Sequence, residues 1–279
     1  DKLEIKGSKY DASNLTSFLD KRDNSKFLND VNKEISVNIN EISNNFSEKI
    51  SNFSLIGSIK RGKFNKIISK GKFYEDKYID ISLREDEISK MKILEVYSDL
   101  PGPLLNNYNF FKGLSGGKLL FNSYYNSQKS NSNLIVENFK VKDAPNIVKL
   151  LSLADFGGMA DAISGEGLSF EKLEMKIEKN NNILNLRELY AIGPSISVLM
   201  EGYVESKTDL VSLRGTMVPA KTLNKFLSKV PIVGDILIPK EIGEGLFGIS
   251  FKMKGTPGNI KTTVNPIKSL TPRFIQKAL

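Results

Sequence analysis

Period-2 alternation of apolar and polar residues runs through most of the chain. Phe53, Leu55 and Ile59 alternate with polar neighbours, as do Ile79, Ile81 and Leu83 in KYIDISLRE. The pattern returns at Leu173, Met175 and Ile177, at Ile196, Val198 and Met200, and at Val211, Leu213 and Met217. It closes with Phe247, Ile249, Phe251 and Met253 in LFGISFKMKG. Alternation gives each strand one apolar and one polar face. Turn signals such as KGK, EKNNN and VESKTD separate the segments at hairpin spacing, so antiparallel neighbours are expected.

Three short segments carry a helical stripe instead. Asp11–Leu19 (DASNLTSFL), Asp143–Leu151 (DAPNIVKLL) and Pro219–Leu227 (PAKTLNKFL) share the form x-A-x-x-[LI]-x-x-[FL]-L. Asp11 and Asp143 suit an N-cap, and Pro219 suits a first helical turn. Their apolar positions fall on one helical stripe, which must lie on something apolar, and the sheet's apolar face is the obvious partner. The unequal separations mark a recurring strand-to-helix device, not a strict repeat.

Composition narrows the chemistry. The 279 residues suffice for one large domain or two ordinary ones, and an apolar share of 40% permits a real core. The chain has no Cys, His or Trp. That removes Cys/His zinc and iron–sulfur sites, thiol nucleophiles and any Ser-His-Asp triad, and leaves an all-carboxylate metal site open. The net charge is +8, from 40 Lys and Arg against 32 Asp and Glu. Lysine is spread along the whole length with acids mixed in, which describes a solvated polar face rather than a docking patch for nucleic acid or anionic lipid. No run of about 18 apolar residues exists; VPIVGDILIP, Val230–Pro239, is too short to span a bilayer and contains Asp235. Asp1 is not a start methionine, so the chain is expected to be a mature or excised piece of a longer one.

Several motifs tempt and fail. GEGL occurs twice, at Gly165–Leu168 and Gly243–Leu246, and the second copy reads G-x-G-x-x-G. A dinucleotide turn needs a strand before it and a helix after it. Both copies precede alternation, so the expected role is a glycine turn feeding a strand. GSIKRGK, Gly57–Lys63, starts like a P-loop, but Phe64 stands where Ser or Thr should hold magnesium, which points to a hairpin. GLSGGK, Gly113–Lys118, has the wrong spacing. The acid pairs Glu85–Glu87 and Glu241–Glu244 sit in polar, turn-like surroundings without the burial that separates catalytic pKa values. Phe110–Phe111 and Tyr124–Tyr125 lack basic interleaving and suit core packing better than base stacking.

From Lys142 onward, ordered segments resemble a known family. DAPNIVKLLSLADFGGMADAISGEGLSFEKLEMKI is similar to its strand, helix and "G-x-G-L-x-F" strand return. LRGTMVPAKTLNKFLSKVPIVGDILIPKEIGEGLFGISFKMKG resembles its "GT-x-V-P-A … G-L-x-x-x-x-[FY]-x-[VM]-x-G" run, through Gly215, Thr216, Val218, Pro219, Ala220, Pro231, Gly234, Gly245 and Gly255. VNPIKSLTPRFIQKAL resembles the closing "v-N-P-l-s-x-l-x-P-x-x-x-r", through Asn265, Pro266 and Pro272. The family's Gly before the terminal arginine is absent, since Pro272 and Arg273 are adjacent. The resemblance is to the C-terminal region of the AsmA-like family, and most to its YhdP branch. Residues 1–141 match only in style, with a strand followed by Asp-Ala at Lys9–Ala12. The resemblance implies two regions, 1–141 as a β-rich groove segment and 142–279 as the AsmA-like C-terminal region, continuous as one unit. It also implies a periplasmic protein tied to the inner membrane by an N-terminal helix missing from this chain, and a β-sheet groove carrying phospholipid toward the outer membrane.

Physics allows that function independently. Exposing two sixteen-carbon acyl chains to water costs on the order of 25 kcal/mol, at about 0.8 kcal/mol per methylene. A curved sheet with one continuous apolar face removes that cost and needs no acid, base, metal or cofactor. The expected fold is therefore mainly β, a twisted antiparallel sheet forming a curved groove, with short amphipathic helices packed on or capping its concave face. Expected groove residues are Ile196, Val198, Met200, Val211, Leu213, Met217, Phe247, Ile249 and Phe251. Two Pro-bounded apolar segments, with Val230, Ile232, Ile236 and Leu237 in one and Phe274 and Ile275 in the other, are expected to touch a membrane surface or partner. The partners expected are phospholipid, a membrane surface and other envelope proteins, but no nucleic acid. Two alternatives stay open: a structural or assembly factor of the envelope, and a closed core under the same strands. An enzyme is not expected.

Overall fold

The computed structural model describes residues 2–13, 31–43, 48–106, 111, 113–142, 167–219, 248–256 and 259–267. They form one open sheet of fourteen strands, curved but not closed, in the order of the sequence. The strands are β1 (Lys2–Asp11), β2 (Lys33–Ser43), β3 (Ile50–Lys60), β4 (Lys63–Lys72), β5 (Tyr78–Glu85), β6 (Lys92–Ser98), β7 (Leu114–Tyr125), β8 (Lys129–Val141), β9 (Leu168–Asn180), β10 (Ile183–Ile192), β11 (Ile196–Glu205), β12 (Leu210–Pro219), β13 (Gly248–Thr256) and β14 (Asn259–Ile267). Among the described residues a one-turn α-helix, α1 (Gly102–Leu105), lies between β6 and β7, and a 3-10 turn at Tyr74–Asp76 lies between β4 and β5. The expected alternating segments occupy β3, β5, β9, β11, β12 and β13.

Every neighbouring pair is antiparallel except the first: β1 runs parallel to β2, with Leu3 opposite Ile35 and Ile5 opposite Val37. The sheet is thus predominantly antiparallel, as expected, with this one exception. Alternation reports which face a side chain takes and says nothing of strand direction. A parallel pair needs a crossover of a dozen or more residues, and segment 12–32 is long enough to supply one. The sheet is also continuous across the expected boundary at residue 141, because β8 and β9 pair along most of their length.

The two rims of the sheet differ. At one rim strands are joined by the short connections 61–62, 86–91, 126–128, 181–182, 206–209 and 257–258. The long connections 99–113, 142–167 and 220–247 all begin and end at the other. The three expected strand-to-helix segments start at that same rim, as β1 ends at Asp11, β8 at Val141 and β12 at Pro219. Asp11 makes a contact typical of an N-cap, its carboxylate accepting from the Ser13 N–H at 2.9 Å and from the Ser13 hydroxyl. Pro219 differs from expectation: it is the last residue of β12, paired with Ile196, so any helical turn must start after it. The helical stripes themselves lie almost wholly outside the described residues.

Apolar side chains gather on one face. The largest cluster runs from β7 to β13 and includes Leu119, Val136, Leu173, Leu189, Met217 and Ile249. Smaller clusters form around Ile35, Val37 and Ile39 of β2, and around Phe73, Ile79 and Leu100. Alternation holds within each strand until pairing lapses at aligned positions. Gly117, Asn138 and Glu171 in β7, β8 and β9 form one such line, with Gly117 and Asn138 at φ 89° and 52°. Ser8, Asn40 and Asn52 in β1, β2 and β3 form another, with Asn52 at φ 51°. Each lapse turns the following side chains over, so Val136 and Phe139 share a face although three residues apart. A bulge at Arg187 does the same between Leu186 and Leu189 in β10.

A β-branched residue strongly resists the left-handed conformation that Asn138 adopts. Asn138→Val is expected to lower stability by about 1–2 kcal/mol, and Asn138→Gly to be nearly neutral, as read from urea unfolding midpoints.

Candidate functional site

The pairing registers place the inner side chains in rows that cross the strands. From β7 to β13 one row reads Leu119, Val136, Leu173, Ala191, Val198, Met217 and Ile249. The next reads Phe121, Leu134, Met175, Leu189, Met200, Gly215 and Phe251, and the third reads Ser123, Ser132, Ile177, Leu186, Gly202, Leu213 and Met253. Toward β4 they continue through Ser98, Ile79 and Gly71, through Val96, Ile81 and Ser69, and through Leu94, Leu83 and Ile67. No charged residue interrupts these rows from β4 to β13. Their few polar side chains are satisfied locally. Ser123 and Ser132 share a hydrogen bond of 2.8 Å, and the Ser98 hydroxyl donates to the Leu100 carbonyl at 3.0 Å.

The expected groove residues converge here. Ile196, Val198, Met200, Met217, Ile249 and Phe251 belong to one buried cluster, with Leu213 half-buried against it. Met200 is 5% exposed and Phe251 2%. Val211 lies one row nearer the short-turn rim, half-buried and paired with Val204 and Gly255, outside the cluster. Phe247 lies outside the described residues, as do Val230, Ile232, Ile236, Leu237, Phe274 and Ile275. An apolar cavity of about 80 Å³ sits among β8 to β13, and Val198, Met200, Leu213, Met217 and Phe251 line part of it.

Its other lining includes Phe111, Phe139, Phe170, Leu173, Leu189 and Met253. Phe139 and Phe170 were not anticipated as site residues. They are directly paired across β8 and β9, and their rings stack with centroids 5.2 Å apart. Strict alternation from Val136 or Leu173 puts both on the wrong face, and the only clue is the Asn in VENF, a residue that tolerates positive φ.

Gly215 has a steric role. A Cβ there would strike the Phe251 ring, with Cε1 at 2.9 Å, so the absent side chain leaves a bed for the aromatic across the strand pair. Of the two GEGL copies, the described part of the first fits a glycine turn feeding a strand: Gly167 takes φ +79° and β9 begins at Leu168. GSIKRGK is the β3–β4 hairpin, turning at Arg61–Gly62. GLSGGK opens β7, and Glu85 and Glu87 are exposed.

The outer face is charged. Arg84 meets Glu95 at 2.6 Å, Arg187 meets Glu178 at 2.7 Å, and Arg214 meets Glu201 at 2.8 Å. The Arg84 hydrogen bond, helped by the Ser82 hydroxyl, holds the Glu95 carboxyl below the usual carboxylate range. Exposed pairs of this kind contribute roughly 0.2–1 kcal/mol each and chiefly keep the outer surface wet. Among the described residues no three acidic side chains gather as a metal site would require, and no helix is long and apolar enough to cross a membrane.

Comparison with protein-family models, with curated proteins and with solved structures finds no match for the chain.

Phe251 fills its bed on Gly215 almost completely buried. Phe251→Ala is therefore expected to cost about 3–5 kcal/mol. Phe251→Lys, which buries an unpaired charge, is expected to give no cooperative thermal transition in circular dichroism.

Proposed function

We propose that this chain is a non-enzymatic phospholipid-binding and transfer segment of a periplasmic bridge between the inner and outer membranes, of the AsmA-like, YhdP-related kind. On this reading an N-terminal helix outside the chain anchors it to the inner membrane, and its work supports outer-membrane integrity. The observation that carries the reading is the set of three adjacent inner rows without a charged residue from β4 to β13. Nine strand spacings give a path of about 43 Å, longer than the roughly 30 Å hydrocarbon core of a bilayer. The outer face of the same strands carries the ion pairs, although Tyr190, Ser197 and Val218 on it are buried. That division suits a carrier for acyl chains in water.

The cavity sets a condition on loading. An apolar cavity of roughly 150 Å³ holds benzene, whereas the free volume here is about 80 Å³. A lipid tail must therefore widen the space between the rows or displace what covers them. Opening a buried apolar face is costly, so tails and covering groups exchange rather than leave the face bare. Contact of Val230–Ile238 and Leu270–Leu279 with a membrane or partner belongs to this proposal, as the route by which lipid reaches the rows.

The test is native mass spectrometry of protein extracted gently from membranes. Co-purifying phospholipid is expected. Repeated absence of lipid favours an envelope structural or assembly factor built on the same sheet. Leu213→Lys gives a second check, because Leu213 is half-buried and its row lies toward the short-turn rim, from which an ammonium can reach water. Wild-type melting with a several-fold lower lipid load is expected, while an undiminished load would remove Leu213 from the path.

A further inference from the structure

One row beyond the three apolar ones, at the short-turn rim, the inner face changes character. From β5 to β9 the paired residues are Glu85, Lys92, Tyr125, Ser130 and Lys179. From β10 to β13 the same row returns to Leu184, Val204, Val211 and Gly255. The polar stretch is thus local, and it follows the parity that points the apolar rows inward. Four of its residues, on β6 to β9, span three strand spacings, about 14 Å. The connections at this rim, 86–91, 126–128 and 181–182, are short.

Lys92 is the unusual member. It is half-buried, and its ammonium reaches across β5 to donate to the Phe64 carbonyl at 2.5 Å. Among the described residues no carboxylate comes within ion-pair distance of it. Burial pushes its pKa down, Glu85 opposite it in the ladder favours its charge, and Lys63 opposes it. Burial also raises the Tyr125 phenol. Lys63, Lys92 and Lys179 outnumber Glu85, so an anion entering here gains charge complementarity. An ammonium has three donors, and the Phe64 carbonyl takes one.

We propose that the row Lys92, Tyr125, Ser130 and Lys179 is a headgroup station, which binds the phosphodiester of a glycerophospholipid whose acyl chains lie over the apolar rows. The proposal rests on the lipid-groove reading and adds to it a polar end. The phosphate accepts from the Lys92 ammonium and, from the adjacent strand, the Tyr125 hydroxyl, while Ser130 and Lys179, two and three strands from Lys92, meet the rest of the headgroup. The tails then run from the rim into the third, second and first rows. A lipid without a phosphate would find the same apolar rows but leave Lys92 half-buried, with Glu85 across the ladder outnumbered by the lysines. Selectivity for the phosphate follows, because charge-assisted hydrogen bonds are the stronger ones and gain in a partly dry setting.

The experiment compares dioleoylphosphatidylglycerol, dioleoylglycerol and glycerol 3-phosphate on the full chain, scored by native mass spectrometry and by displacement of a fluorescent acyl probe. Wild-type protein is expected to take the phospholipid about tenfold or more over the diacylglycerol, and glycerol 3-phosphate is expected not to displace the probe. Lys92→Met keeps the apolar stem and removes the charge. It is expected to cut that preference several-fold with diacylglycerol binding unchanged, and Lys179→Met to cut it less. Lys254→Met, outside the row, is the control and is expected to change nothing. An unaltered preference in both Lys92→Met and Lys179→Met overturns the station while leaving the groove intact. Displacement by glycerol 3-phosphate at the phospholipid's own potency overturns the lipid assignment in favour of a soluble phosphate ester. Failure of the wild type to bind either lipid overturns the groove, and the station with it.

Discussion

Register is the constraint on which the rest of this molecule depends. Among the described residues each strand pairs only with its neighbours in sequence, so the pairing passes register along the sheet one strand at a time. Side chains alternate with a period of two, and a slip of one residue would send every apolar side chain of a strand to the charged face. The rows exist because register is held from strand to strand, and the aligned lapses at Gly117, Asn138 and Glu171 show how closely. All three strands turn over at one level, so the apolar face continues on both sides of the break.

The face has two functions to reconcile. It must be apolar enough to hold the sheet in its curve, and open enough, on the proposed function, to admit a tail. Buried side chains such as Val136 and Ile249 favour the first demand. The half-buried residues nearer the short-turn rim, among them Leu213, Met253 and Ile177, favour the second. The division follows the rims: the closed rows lie toward the long connections, and the accessible ones toward the short turns. On the proposed function that gradient suits an amphipathic cargo, whose two ends differ in the same sense.

Much of the architecture was legible in the chain. Strands such as β5, β11 and β13 alternate without interruption, and period two is the one signal that states both element type and facing. Val198, Met200, Met217, Ile249 and Phe251 were placed on a common face for that reason. Phe139 and Phe170 were not, because a left-handed asparagine inside β8 reverses parity and leaves no trace in hydropathy. The parallel direction of β1 was hidden because a strand reads alike both ways. The polar row at Lys92 was hidden because its members are far apart in sequence, and only the ladder from β6 to β9 makes them neighbours. The resemblance to the AsmA-like family rests on the order of many short segments, and Gly215 is one whose steric purpose the sheet supplies.

The strand order has a mechanical consequence. A sheet whose strands follow one another without crossovers between distant members is a one-dimensional array, with energy that approximates a sum over nearest-neighbour interfaces. Such an array need not melt as one cooperative body. It can fray from either end, strand by strand, while its middle keeps its shape, and the described edges β1 and β14 each have only one neighbour. The gutter is therefore extensible in principle: adding or removing hairpins changes its reach without redesigning what remains.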